Sequence, residues 1–250
     1  MIKPIRFVSE VINVLNITPE AKIFRFSVPK EFLFEPGQFI TLLIDINETV
    51  ERRSYSIAEH GDGFIELCIN KVKNGKVSTF LHELKNGHKL TAQGPLGLFT
   101  IKNNSEKKEN VFIATGTGIA PFVSMIPSLL KKINKKVILL SGHKYEDEIL
   151  YDSFFRELQK KYKNFEYHTI VSRPRSEKFD GEKGRVQILI EKHIQPNFAG
   201  NVYLCGLSDM KEILKKAQEG GKKACPEPCR RAKLALDVFV YSNALFVDQF

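Results

Sequence analysis

The sequence predicts a two-domain protein, an antiparallel β-barrel followed by an α/β domain built on a parallel sheet. Three observations predict it. Over the first hundred residues apolar and polar positions alternate with period two, broken by Gly, Asn, Asp and Pro. At 102–110 the chain turns polar and charged, "KNNSEKKEN". Beyond that point short apolar runs alternate with amphipathic helical segments, the rhythm of a parallel sheet covered on both faces. A chain of 250 residues is long enough for two modest cores.

In the first part, "AKIFRFSV", "GQFITLLIDI", "RRSYSIA", "GFIELCINKV" and "HKLTAQGPLG" read as strands, with one short helix at "STFLHELK". Short strands at regular spacing fit a small barrel over 1–103. The charged stretch at 102–110 reads as a linker or long turn. From 109 to 250 the order is strand "NVFIAT", helix "APFVSMIPSLLKKI", strand "KVILLSGH", helix "EDEILYDSFFRELQKKY" and strand "FEYHTIVS". Helix "RVQILIEKHI", strand "NVYLCG" and helix "SDMKEILKKAQ" follow. The segment 219–236, "EGGKKACPEPCRRAKLAL", is longer than a helix–strand connection needs and reads as an inserted loop.

The formal net charge is +9, with lysines spread along the chain where helices and loops face water. Such a balance suits an acidic protein partner, and no nucleic-acid-binding motif accompanies it. The charged N-terminus does not read as a signal peptide, and no uncharged apolar run spans a bilayer, so a cytoplasmic protein is expected. Four cysteines form neither a secreted disulfide framework nor the Cys-x4-Cys-x2-Cys spacing of a plant-type iron–sulfur cluster. Cys225 and Cys229 in "CPEPC" lack a second pair, and no metal is expected.

Three stretches carry chemistry. The loop "TGTG", Thr115–Gly118, leaves the first strand of the parallel sheet and enters a helix with Pro121 in its first turn. Such a loop offers glycine backbone and helix N–H groups to a phosphate at the carboxyl end of the sheet. In "RRSYS", Arg53 and Tyr55 fall on one strand face and Ser56 on the other. Arginine clamps phosphate, tyrosine covers a flat heterocycle and serine hydrogen-bonds a ring nitrogen. "NGKVST" places Gly75, Ser78 and Thr79 at another helix start. One phosphate-suited helix start per domain suggests two nucleotides.

The order Arg-x-Tyr-Ser, Gly-x-x-Ser, Gly-Pro-Leu-Gly-x-Phe, Gly-Thr-Gly-Ile-Ala-Pro and Cys-Gly resembles the ferredoxin–NADP+ reductase family of FAD flavoproteins. "YSIA", "LCINKV", "GEKGRVQ" and "YLCGLSDM" are similar to its plastid-type members. The resemblance implies that Arg53, Tyr55, Ser56, Cys68, Asn70, Gly75, Val77, Ser78 and Thr79 hold FAD, with Ser56 near the hydride-accepting N5. It implies that Thr115, Gly116, Thr117 and Gly118 take the nicotinamide nucleotide. Cys205 and Gly206 would border the hydride-transfer site, Ser172, Arg173, Lys183 and Arg185 would select NADP(H) through its 2′-phosphate, and Gln187 and Leu207 would join the cofactor-binding residues. Asp248 and Phe250 would stand for the family's C-terminal Glu and Tyr, as electrostatic or proton-donating partner and as flavin-stacking ring.

Further departures from the plastid pattern are Arg185 for a tyrosine, Glu59 for a serine and Asn70 for a lysine. The implied activity is hydride transfer between nicotinamide C4 and flavin N5, with single electrons exchanged with an acidic carrier, ferredoxin or flavodoxin. Alternatives are an NADH-dependent reductase feeding an oxygenase or haem protein, and an electron-transfer subunit of a larger complex.

Overall fold

A computed structural model describes residues 2–46, 48–195, 198–206 and 237–242. They form two compact units. One takes in residues up to Ile101 with Ala120–Ser128, the other Lys102–Ile119 and the described residues from Leu129 onward. The expected helix "SDMKEILKKAQ" and the segment 219–236 lie outside the described residues.

The first unit is a closed antiparallel barrel of six strands. These are β1 (Ile5–Asn16), β2 (Ala21–Ser27), β3 (Phe39–Ile46), β4 (Thr49–Gly61), β5 (Phe64–Asn70) and β6 (Lys89–Leu96), paired in the order β1-β2-β5-β4-β3-β6. Closure removes the two sheet edges that would otherwise attract other chains. Period-two alternation puts Phe24 and Phe26, Ile40, Leu42 and Ile44, and Leu67 and Ile69 inside.

The sequence reading missed β1, the strand that closes the barrel on both sides, against β2 and β6. Its alternation is blurred because "VINVL" carries apolar residues on both faces and the register shifts between Val11 and Asn13. Val11 is buried while Val8 and Ile12 face water. Between β5 and β6 lies α1 (Lys76–Glu83), which sends Val77 and Leu81 into the barrel core.

The second unit is a five-stranded parallel sheet in the order β11-β10-β7-β8-β9. Its strands are β7 (Asn110–Thr115), β8 (Val137–His143), β9 (Phe165–Val171), β10 (Asn201–Gly206) and β11 (Asp237–Ser242). They carry near-continuous apolar runs, as strands covered on both faces must. From β7 the chain steps outward to β8 and β9, then returns to β10 on the other side of β7. The reversal makes a crevice at the carboxyl ends of β7 and β10. Its described helices are α3 (Asp152–Lys161) and α4 (Val186–His193), while α2 (Ala120–Leu130) belongs mostly to the first unit.

Residues 102–110, expected as a linker or long turn, form a run of turns anchored by buried polar side chains. Ser105 is fully buried, its hydroxyl 2.7 Å from the Tyr203 hydroxyl. Asn110 Nδ2 donates to the carbonyls of Ser105 and Lys108, and Asn201 Nδ2 donates to Asn110 Oδ1. Asn110 and Asn201 begin adjacent strands, so this network ties the charged segment to the amino ends of β7 and β10. Glu106, Lys107 and Glu109 stay exposed as local polarity implies, while Ser105, Asn110 and Asn201 are buried with tertiary partners.

Candidate functional site

In the barrel, β4 pairs with β3 so that Arg53 stands opposite Leu42, Tyr55 opposite Ile40 and Ser56 opposite Phe39. The Tyr55 ring packs against the barrel core, and burial pushes its hydroxyl pKa up, so it stays neutral. Arg53 Nη1 lies 2.9 Å from Glu51 Oε2 and also donates to the Arg52 carbonyl. An incoming phosphate therefore competes with a carboxylate for this guanidinium. Ser56 is buried, and its Oγ makes no hydrogen bond. An unpaired buried hydroxyl costs about 1–3 kcal/mol. Such a group fits a polar ring atom of a bound cofactor, whereas the neighbouring Ser54 hydroxyl is already 2.9 Å from that of Thr41.

Gly75 caps α1, and no side chain satisfies the first N–H groups of the helix. Those of Lys76, Val77 and Ser78 precede the first intrahelical bond, the 3.0 Å contact from Thr79 N–H to the Gly75 carbonyl. They suit an anion. The Ser78 hydroxyl is engaged locally, accepting from Val72 N–H at 3.0 Å and donating to the Gly75 carbonyl. Backbone rather than this hydroxyl is what the turn offers. Cys68 is buried on β5, and Asn70 is exposed at its end.

In the parallel sheet, Thr115 ends β7 and Gly116–Ile119 form a single 3-10 turn leading into α2. The two glycines of the loop differ in purpose. Gly116 has φ +52° and open space where a Cβ would stand. At Gly118 a Cβ would meet the Cys205 carbonyl oxygen at 2.3 Å. Gly118 thus lets the β7 loop close onto the end of β10, and Gly116 leaves backbone open above it. Cys205 is fully buried, and burial pushes its thiol pKa up. A neutral, inert thiol at the crevice fits a shape-setting role.

The expected 2′-phosphate residues also come together. Val171 pairs with Lys183 beyond the end of β9, with Gly184 N–H donating to the Val171 carbonyl at 2.9 Å. Ser172 and Arg173 leave β9 at the same place, while Arg185 caps α4. Gly142 of β8 stands where a Cβ would lie 3.0 Å from Val186 and 3.5 Å from Thr115, so the start of α4 adjoins the β7 loop. Gln187 Oε1 is buried there without a hydrogen bond. Arg173, Lys183 and Arg185 are exposed, and none pairs with a carboxylate among the described residues. Arg175, by contrast, is taken up by Asp147 and Glu148 and lies over the Tyr145 ring. Leu207, Asp248 and Phe250 lie outside the described residues.

Sequence reasoning passed over His143, at the end of β8. Its Nδ1 lies 3.0 Å from the Glu148 carbonyl, which only accepts, so Nδ1 carries the proton. Nε2 then accepts from the Ser141 hydroxyl at 2.7 Å. The backbone carbonyl of His143 receives the Ser172 N–H, so the end of β8 holds the start of the 172–185 loop. Burial lowers its pKa from 6.5 to about 4. The unfolded imidazole takes up a proton near pH 6.5 that the folded one refuses until about pH 4. Stability is unaffected by this group above that window and falls as pH drops through it, by on the order of 3 kcal/mol. The difference in urea midpoint between wild type and His143→Gln is expected to shrink from pH 7.5 to pH 4.5. A constant difference would overturn the buried neutral imidazole.

The family model described as an oxidoreductase FAD-binding domain matches residues 9–101, and that of an oxidoreductase NAD-binding domain matches 112–216. Ferredoxin–NADP reductase B of Sorangium cellulosum is 29% identical over 232 residues, covering 88% of this chain and 94% of that protein. The anthranilate 1,2-dioxygenase electron transfer component of Acinetobacter baylyi is 29% identical over 84% of this chain, which spans 60% of it. A Neisseria gonorrhoeae ferredoxin NADP+ reductase, solved with bound FAD and NADP, superimposes with TM-score 0.77 at 19% identity. That match covers 95% of this chain and 98% of the other. Barrel, parallel sheet and both domain matches agree: the chain belongs to the ferredoxin–NADP reductase family of flavin-dependent, electron-transferring oxidoreductases.

Proposed function

We propose that this protein is an NADP(H)-dependent FAD reductase that exchanges electrons with an acidic one-electron carrier, ferredoxin or flavodoxin. The observation that carries the NADP(H) preference is the grouping of Ser172, Arg173, Lys183 and Arg185 at one loop pair, with three guanidinium or ammonium groups not neutralised by carboxylates among the described residues. A 2′-phosphate dianion suits that charge, and a bare ribose has no use for it. Bound FAD supplies the exchange between two-electron hydride chemistry and single-electron steps. The chain's own part is to hold each partner. Arg53 and the free N–H groups of α1 would take the FAD phosphates, and the Ser56 hydroxyl would meet the ring. Gly116 backbone and Gln187 would orient the nicotinamide nucleotide over the crevice bordered by Cys205 and Gly206. The net charge of +9 favours docking of an acidic carrier, so carrier reduction should slow as salt rises.

Anaerobic reduction of the flavin, followed at its visible band, tests the reading. NADPH is expected to react faster than NADH. Arg173→Ala and Lys183→Ala should each lower that preference by about tenfold, the worth of one charge-assisted hydrogen bond. Preference for NADH, unchanged by both variants, would overturn it. A second reading has its own support in Glu146, whose carboxylate accepts the N–H groups of Arg175 and Ser176 beside the same loop. Acidic groups there suit a free ribose hydroxyl pair, which would make the protein an NADH-linked reductase serving an oxygenase.

A further inference from the structure

On the outer strand of the parallel sheet, Glu166 and His168 are two residues apart on β9 and therefore share a face. His193, the last residue of α4, stacks on His168 with ring centroids 3.8 Å apart and planes 23° from parallel. One ligand atom from each of Glu166, His168 and His193 lies within 4.8 Å of the others. Both imidazole Nε2 atoms are buried without a hydrogen bond. That of His168 stands 3.5 Å from Glu166 Oε2, too far for a hydrogen bond. It is close to the edge of a tetrahedral zinc site, roughly 3.4 Å for bonds of about 2.1 Å. Glu166 Oε1 is held by Lys136 Nζ at 2.9 Å, which orients the carboxylate and leaves Oε2 toward the histidines.

We propose that Glu166, His168 and His193 form a three-ligand site for a zinc-type divalent cation, distinct from the cofactor residues. Two imidazoles and one carboxylate suit zinc better than magnesium or calcium, which prefer all-oxygen shells. The three residues are half-exposed, so water can supply a fourth ligand once the rings part. The cation satisfies two buried nitrogens that otherwise make no hydrogen bond. Binding requires the two rings to open from their stack so that both lone pairs converge. It ties the first half of β9 to the carboxyl end of α4, bracing the two elements between which residues 172–185 run.

The test is a competition titration of the full-length, flavin-loaded, chelator-treated protein with Zn2+ against a chromophoric chelator. One equivalent per chain is expected for wild type and for the Cys225→Ser/Cys229→Ser double variant. Affinity in His168→Gln and in His193→Gln should be at least about 100-fold weaker, the upper range for losing even an outer-shell partner. Glu166→Gln, which keeps the side chain's size, should weaken binding as well. Retained flavin absorbance shows that each variant is folded. Added Zn2+ should raise the thermal midpoint of wild type and not of His193→Gln. No binding, unchanged affinity in both histidine variants, or loss only in the cysteine variant would each overturn the site.

Discussion

Ser56→Ala is expected to slow anaerobic reduction of the flavin by about 100-fold, while leaving the thermal midpoint unchanged or higher. The two effects part because the hydroxyl is buried and unpaired in the barrel itself. Removing an orphaned polar group from a protein interior relieves a cost of about 1–3 kcal/mol instead of creating one. Removing a preorganised hydrogen-bonding group from a reacting centre costs roughly 100- to 1,000-fold in rate. Ser54→Ala is the internal control. Its hydroxyl already pairs with Thr41 across β3 and β4, so its loss should cost about 1 kcal/mol and leave the rate alone. Stopped-flow reduction and thermal unfolding of the two variants separate the readings. A Ser56→Ala protein that is less stable yet equally fast would make the hydroxyl structural and withdraw Ser56 from the cofactor.

The largest loss of stability is expected from Gly118→Ala, by more than about 3 kcal/mol. The new Cβ would stand 2.3 Å from the Cys205 carbonyl oxygen and 2.6 Å from its carbonyl carbon. Both are backbone of a buried central strand that cannot swing aside, so the β7 loop and the end of β10 must separate. Gly116→Ala, two residues earlier, meets nothing within 4 Å and bears only the cost of a left-handed φ of +52°, about 1–2 kcal/mol. Urea denaturation of the pair decides the matter. Equal small losses would mean that the loop is not seated on β10.

These two glycines show how much of the site could be read in the chain. "TGTG" after an apolar run announced a strand, a tight turn and a helix, and the structure has them. Which glycine faces open space and which packs on Cys205 depends on a strand some ninety residues away, and no local pattern carries that. Gln187 and the 172–185 loop follow the same logic. The resemblance singled out Lys183 through "GEK", but its pairing beside Val171 arises only when the loop folds back on β9.

By itself the sequence determined the two-domain architecture. Period two and the strand–helix rhythm are local consequences of which face of each element is buried, and they survive in any order of reading. It also carried the residue types of the proposed cofactor positions, because phosphate and flat rings demand particular side chains. The tertiary structure set the closing strand β1, whose bulge blurred its alternation, and the tethering of "KNNSEKKEN" through Ser105, Asn110 and Asn201. It alone decided that His168 and His193 stack, and that Ser56 rather than Ser54 is left unpaired. Partners far apart in the chain set those outcomes, because the cost or satisfaction of a buried polar atom depends on what surrounds it in three dimensions.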